Sequence, residues 1–455
     1  MSLSRKNVNL PIQVEAGPTG LRIHAVSATA AIEFHDPSPV EAATLCIPFE
    51  LLSECEGPKQ ETVVLLPKPD GQVEARWENG RIPVIRQYYC ESPVEPFPGL
   101  PTEMIEASPA LIRAIAEAVE VTDQQSSRYA LGHVLLDGRK GQIGATDGRQ
   151  LLLQSGFEFP WPDEVLVPGS SVFGCKEVTG HGSVSIGKTD ANVFFRVGPW
   201  TLAFPIPKDA RFPNLDFIVP PHHTARTVLT IPASDRSFLA DSITRLPGNG
   251  EANAPVTIDL NGKVAIRAGA EGGKPTELVL TQATRDGDEV RISSNRLFLQ
   301  RAARLGFDKL YFFGGEDKIV AHDDRRDYLW MPLHEDGIIK PSSDCLQIES
   351  PAGFGPRRVT RPRTSTPLPP MINRVANQVS ATAPPSETVP ATRRRRTDDK
   401  TGSVTSIDAA IAVRSSLRET LGKTNDLIRS LKKEKKQQRL LKSTLASLNQ
   451  LRTVA

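Results

Sequence analysis

The stretch nearest to a chemical motif is AGAEGGKP at 268–275, which follows the apolar run VAIR as a phosphate-cradling loop follows its strand. Such a loop works because backbone amides close on the phosphates, a lysine reaches them, and the next Ser or Thr hydroxyl holds magnesium. Here Ala268 takes the first glycine position and Pro275 the hydroxyl position, so phosphoryl chemistry is not expected. No GxSxG, HExxH or convincing carboxylate pair occurs elsewhere, and His222-His223, after Pro220-Pro221, reads as a loop. Cys46, Cys55, Cys90, Cys175 and Cys345 are odd in number and scattered, with no CxxC pair and no histidines at zinc-ligand spacing. They read as buried free thiols. The expectation is no catalytic residue, no metal and no cofactor.

What remains is binding, and it shows first in the charge. The 455-residue chain has a formal net charge of +2, yet residues 1–350 hold 34 Lys and Arg against 46 Asp and Glu, while 351–455 hold 21 against 7. An acidic body of −12 therefore carries a basic tail of +14, which suggests attraction to nucleic acid or to an acidic partner surface. With 39% hydrophobic and 24% charged residues there is room for about three globular domains. No apolar run approaches the ~20 residues of a membrane span, and the opening MSLSRKNVNLPIQ lacks the apolar centre of a signal peptide. A cytoplasmic protein is expected.

The elements that would position a binding site centre on GQIGATDGRQLLL at 141–153. Apolar residues alternate with small or polar ones on both sides of Asp147-Gly148, a dipeptide that tolerates positive φ, so the stretch reads as a hairpin. Comparable segments recur. Ile23 is followed by Ile143 after 120 residues and by Ile266 after a further 123, each beyond a turn; CIPFELLSEC and LVPGSSVFGC align on Pro48 and Pro168, with ISSNRLFLQRAARLGF as third partner. Phe97-Pro98-Gly99-Leu100 is echoed by Phe212-Pro213-Asn214-Leu215. The body therefore reads as one β-rich unit of about 120 residues used three times, with domains at 1–105, 106–222 and 223–340. Helices are expected at 108–123, 169–178, 233–246 and 295–305, and the shortened first unit has room for one only. Residues 341–403 are expected to be a disordered linker, rich in Pro, Thr, Ser and Arg from 351 onward, and 404–455 a basic amphipathic helical tail.

GATDGRQLLL at the middle hairpin, ARFPNLDFIVP closing the second unit and YLWMPL closing the third resemble the bacterial sliding clamp, the beta subunit of DNA polymerase III. The resemblance covers about residues 10–333 and implies an α+β fold of three clamp domains in a non-enzymatic, nucleoid-associated ring. Two subunits would join head to tail around duplex DNA, and polymerase or repair proteins would dock by a short linear peptide between the second and third units. Carried over, the pocket would use Leu131, Thr146, Gly148, Arg149, Leu151, Pro213, Ile218, Asn295, Phe298, Leu329, Met331 and Pro332. Non-specific phosphate contacts would come from Arg113, Lys176, Arg236, Arg245, Arg296, Arg301 and Arg304, with Arg128-Tyr129 at a position close to DNA in the family. There are departures. Arg149-Gln150 stands where the family usually has His-Arg, Phe217 where a basic residue is common, and the chain runs on for more than a hundred residues past Met331-Pro332. Glu50, Glu54 and Glu56 on one expected helix, and Glu117 and Glu120 on another, would repel DNA if they faced the hole. The alternative is a clamp-fold paralogue that serves as a non-encircling interaction scaffold.

Overall fold

A computed structural model describes residues 10–351, apart from 56–61, 70, 80–81, 91–94, 124–129, 251–252, 271 and 315. The basic tail expected at 404–455 lies outside the described residues, as does nearly all of the expected linker.

The first third supplies β1 (Pro11–Gly17), β2 (Gly20–Val26), β3 (Ala31–Asp36), β4 (Ala43–Pro48), α1 (Phe49–Cys55), β5 (Val64–Pro67), β6 (Gln72–Asn79) and β7 (Ile82–Tyr89). The second supplies β8 (Ile105–Ala107), α2 (Ala110–Val119), β9 (His133–Asp137), β10 (Gln142–Thr146), β11 (Gln150–Ser155), β12 (Glu164–Pro168), α3 (Lys176–Thr179), β13 (Val184–Lys188), β14 (Asn192–Val197) and β15 (Trp200–Pro205). The last supplies β16 (Thr227–Thr230), α4 (Ala233–Ser242), β17 (Pro255–Asp259), β18 (Ala265–Ala268), β19 (Thr276–Val279), β20 (Thr284–Gly287), β21 (Arg291–Asn295), α5 (Arg296–Arg304), β22 (Lys309–Phe312), β23 (Ile319–His322), β24 (Arg326–Trp330) and β25 (Leu346–Glu349).

The repetition read from spacing is a repetition of topology. Strand orders β4-β1-β2-β3, β12-β9-β10-β11 and β21-β17-β18-β19 are the same four-stranded pattern. Ile23, Ile143 and Ile266 take the same place in each, facing Val14, Leu136 and Ile258 on the preceding strand. Two edges are joined across repeats. β3 pairs with β15 to make one eight-stranded sheet, and β11 pairs with β24 to make one of nine strands.

Strands shared by two apolar layers read as continuous hydrophobic runs, because both faces lose water. In β11, Leu152 enters the main core while Leu151 and Leu153 fill a smaller cluster on the other face. The helices cover the first of these faces. α2 buries Leu111, Ile112, Ile115 and Ala118 and leaves Arg113 and Glu120 outside, while Asn295 caps α5 by accepting from the Leu297 amide at 2.9 Å.

Three expectations need correction. The helix expected at 169–178 is a 3₁₀ turn, Ser171–Gly174, followed by α3, because Cys175 adopts an extended backbone between them. The phosphate-loop-like AGAEGGKP connects the antiparallel strands β18 and β19, so no helix follows it to receive a phosphate. Residues 346–349, assigned to the linker, form β25 alongside β19; the alternation Leu-Gln-Ile-Glu is a strand signal that composition conceals. The five cysteines are free, as expected, but only half-buried.

Candidate functional site

The seam where β11 meets β24 brings together several of the residues expected to line a peptide pocket. Asp147 shapes its hairpin: Oδ1 accepts from the amides of Arg149 and Gln150 at 2.8 and 2.9 Å, while Oδ2 accepts from Gln150 Nε2 at 2.8 Å. Gly148 has φ of 85°, which any side chain would strain, and its amide donates to Thr146 Oγ1 at 3.0 Å. Thr146 in turn donates to the Gln150 carbonyl at 2.6 Å. The turn sets the hairpin register that places Thr146 opposite Leu151, and the β11–β24 pairing places Leu151 opposite Leu329. One row of side chains crosses two repeats.

That row lies on the sheet face away from the helices. Leu151, Leu153, Val320 and Leu329 are buried there, with Leu215, Ile218, Val219, Tyr311 and Phe313 packed around them. Burying each of the first four is worth roughly 1.5–3 kcal/mol, so this face is a core in its own right. The connection after β15 closes over it. Leu215 lies so close to β10 that a Cβ on Gly144 would stand 2.9 Å from its Cδ1. What remains reachable is a margin. Met331 is 45% exposed, its amide donating to the Arg149 carbonyl at 3.1 Å, while Arg149 is exposed and reaches Asn253 Oδ1 at 3.2 Å. Phe217, beside Ile218, is fully exposed at a φ of 61°, an unusual backbone for an aromatic residue. Leu131, Pro213 and Pro332 are half-buried, and a Cβ on Gly148 would stand 4.0 Å from Leu131 Cδ1.

Two expected pocket residues serve other roles. The Asn295 side chain is the α5 cap, and Phe298 packs in the main core on the helical side of the sheets. Conversely, Leu153, Val320 and Leu215 belong to the outer cluster without having been anticipated. Period-two alternation was the available signal: Leu153 shares a face with Leu151, and Val320 sits between core-facing Ile319 and Ala321.

Of the cations expected to meet phosphate, Arg113, Lys176, Arg245 and Arg304 are exposed, and Arg128-Tyr129 lie outside the described residues. Arg296 is a correction. It is fully buried, and its guanidinium donates to the carbonyls of Ala254, Leu246, Pro247 and Pro255 at 2.7–3.2 Å, tying α5 to the strand start and to the turn after α4. Arg236 donates to the Ile231 carbonyl at 2.9 Å. Arg301 spans the seam, donating to Gln150 Oε1 at 2.5 Å with Glu120 at 3.7 Å; Tyr328 also donates to that Gln150 oxygen, at 2.6 Å.

The acids anticipated to repel DNA are partly answered by these contacts. Glu117 faces Arg326 at 3.4 Å across the same seam, and burial raises its carboxyl above the ordinary value despite that guanidinium. A cleft of about 510 Å³ opens on the helical side, lined by residues of both signs including Arg113, Glu117, Asp323, Arg325 and Arg326.

His222, His322 and Asp327 form the one metal-ligand-like group among the described residues. The two imidazoles are stacked, with centroids 3.7 Å apart and planes 25° apart. Their in-plane lone pairs run nearly side by side and cannot converge on one ion at the ~2.1 Å of a metal–nitrogen bond. His322 instead pairs with Asp327 at 2.9 Å across the β23–β24 hairpin.

No protein-family description matches the chain, and no curated protein matches it in sequence. Solved structures do. The DNA polymerase III subunit beta of Pseudomonas aeruginosa superposes with a TM-score of 0.59 at 16% identity, over 73% of this chain and 94% of that one. For the C. crescentus beta sliding clamp the values are 0.58 and 18%, over 73% and 94%. For the DNA polymerase sliding clamp of Bacillus subtilis they are 0.57 and 16%, over 73% and 93%. At such identity the likeness is one of fold: the described body is built as bacterial sliding clamps are.

Proposed function

We propose that this chain is a non-enzymatic, clamp-like protein of the cytoplasm and nucleoid that associates with duplex DNA without reading sequence. It docks DNA polymerase or repair proteins through short linear peptides at the β11–β24 seam. The observation that carries the reading is the in-register Leu151–Leu329 pair, continuous with exposed Met331 and bordered by Arg149 and Phe217. An apolar floor with a polar turn at its rim suits a peptide with Leu or Phe anchors, since a few desolvated apolar contacts dominate such binding. DNA attraction would come from Arg113, Lys176, Arg245 and Arg304 together with the tail, and would weaken with salt as counterion release requires.

The test is fluorescence anisotropy with a labelled hexapeptide carrying Leu and Phe anchors. Met331→Ser removes apolar surface that is half in water already, so the fold should stand while affinity falls about tenfold, the equivalent of ~1.4 kcal/mol. An unchanged affinity would remove the seam from consideration.

A second reading, a scaffold that does not encircle DNA, is favoured by the first third of the chain. Among its described residues it holds one helix, α1, against two in each of the others, and so offers less to line a hole.

A further inference from the structure

The β5-β6-β7 meander makes a three-stranded sheet whose strands pair with no other strand among the described residues. What joins it to β4-β1-β2-β3 is apolar packing: Val73, Ala75, Trp77 and Tyr88 of the meander share one cluster with Ile12, Val14, Leu45 and Ile47. Tyr88 adds a hydrogen bond, donating to Glu54 Oε2 on α1 at 2.9 Å. The attachment therefore rests on side chains alone.

At the rim of that cluster two thiols come together. Cys46 sits on β4 between Leu45 and Ile47, whose side chains enter the cluster, so strand alternation turns Cys46 to the other face. Cys90 directly follows β7, which runs alongside β4. Its sulfur is in hydrogen-bonding contact with the Cys46 thiol and with the backbone of Ile12 on β1. Both residues are half-buried, so a small oxidant has a way in. Cys55, the remaining cysteine of the first third, instead packs against the apolar cluster.

A disulfide forms without backbone movement only where two chain segments already stand within reach of one bond. Here the sulfurs touch, and they belong to two sheets that no strand ladder connects. Burial, with the neighbouring Cys46 thiol adding to it, pushes the Cys90 thiol up to about 12. Cys90 is thus protonated at neutral pH, which suits the second step of disulfide formation better than the first.

We propose that Cys46 and Cys90 are an oxidation site, closed by hydrogen peroxide to a reversible disulfide that staples the meander to β4. The Cys46 thiolate attacks a peroxide oxygen; the O–O bond breaks, the sulfur becomes a sulfenic acid, and the released hydroxide takes the Cys46 proton and leaves as water. The Cys90 sulfur then attacks the Cys46 sulfur. The S–S bond forms, the S–O bond breaks, and the departing hydroxide takes the Cys90 proton to leave as a second water. Two electrons have passed from the sulfurs to peroxide, and a small-molecule thiol returns them by exchange, as expected of a disulfide in a reducing compartment. The site depends on neither DNA binding nor peptide docking.

The full-length protein tests this. Wild type is treated with hydrogen peroxide, its remaining thiols are blocked with N-ethylmaleimide, and it is digested without reductant and read by mass spectrometry. The expected product is a peptide pair linked from Cys46 to Cys90 within one chain, with two of the five thiols consumed and the link lost in dithiothreitol. The oxidised wild type is expected to unfold at a higher temperature than the reduced protein, because a closed loop restricts the unfolded chain. Cys46→Ser or Cys90→Ser should remove that difference, and Cys55→Ala should keep it. Cys46 and Cys90 recovered separately, as thiols or as sulfinic acids, overturn the proposal, and so does either one linked to another cysteine or to a second copy. A Cys46–Cys90 link that leaves the unfolding temperature unmoved overturns the staple. Where a serine variant does not fold, the wild-type digest and its unfolding temperature decide.

Discussion

Arg296 shows how far residue type alone can mislead. A helix arginine near an expected DNA-lined hole reads as a phosphate contact, yet this one is fully buried and spends its donors on four backbone carbonyls. Sequence carries no marker of that choice, because the carbonyls belong to a turn and a strand start some 40 to 50 residues away. Removing the guanidinium would leave buried acceptors unpaired, at about 1–3 kcal/mol for such a group. Arg296→Ala should therefore lower the denaturation midpoint by an amount equivalent to about 3 kcal/mol, while binding to a short DNA duplex is unaltered at a temperature where the variant is folded. A stable variant with weakened DNA binding would restore the phosphate role. The local contacts of Thr146, Gly148 and Leu151 were legible for the opposite reason. Their contacts lie within six residues or one strand pairing, where turn chemistry and alternation are readable.

Strands carry a second kind of information that a one-face reading loses. β11 and β24 carry apolar residues on both faces, which concealed that Leu153 packs with the outer cluster. β25 was missed because four alternating residues were submerged in a stretch judged by composition. The sheet it closes also holds a buried ionic ladder. Arg267 on β18 bridges Asp259 on β17 and Glu277 on β19, with Arg291 also on Asp259, at 3.0 Å, and Lys263 on Glu277. Burial alone would raise the Asp259 carboxyl; the hydrogen bonds from Arg267, the Asn261 amide and Arg291 outweigh it and hold it below its ordinary 3.8. A depressed folded value means the contribution is present above the unfolded value and lost as pH falls through the folded one. Urea titrations of the wild type should accordingly show stability falling below about pH 4. Arg267→Met should cost about 3–5 kcal/mol at neutral pH and flatten the part of that acid limb due to Asp259. An unchanged midpoint at neutral pH would mean the ladder is energetically idle.

For the molecule as a whole, the threefold repetition was recoverable from sequence because its markers sit at equivalent strand positions and the spacing is nearly constant. How the repeats join was not, since edge pairing depends on which strands remain unpartnered after folding. Two of the three equivalent edges are joined across repeats, and the third is taken by β25. The acidic body and basic tail divide the charge of the chain, −12 over residues 1–350 and +14 over 351–455, which is the split the proposed attraction to DNA draws on.

The account turns on that seam. The most direct measurement is photocrosslinking: an anchor-bearing hexapeptide with a benzophenone side chain is irradiated with the full-length protein, and the attachment sites are read by mass spectrometry. The account predicts adducts on Met331, Arg149 and residues 212–220, lost when unlabelled peptide competes. Adducts confined to the helical side, around Arg113 and Arg325, or scattered without competition, would contradict it.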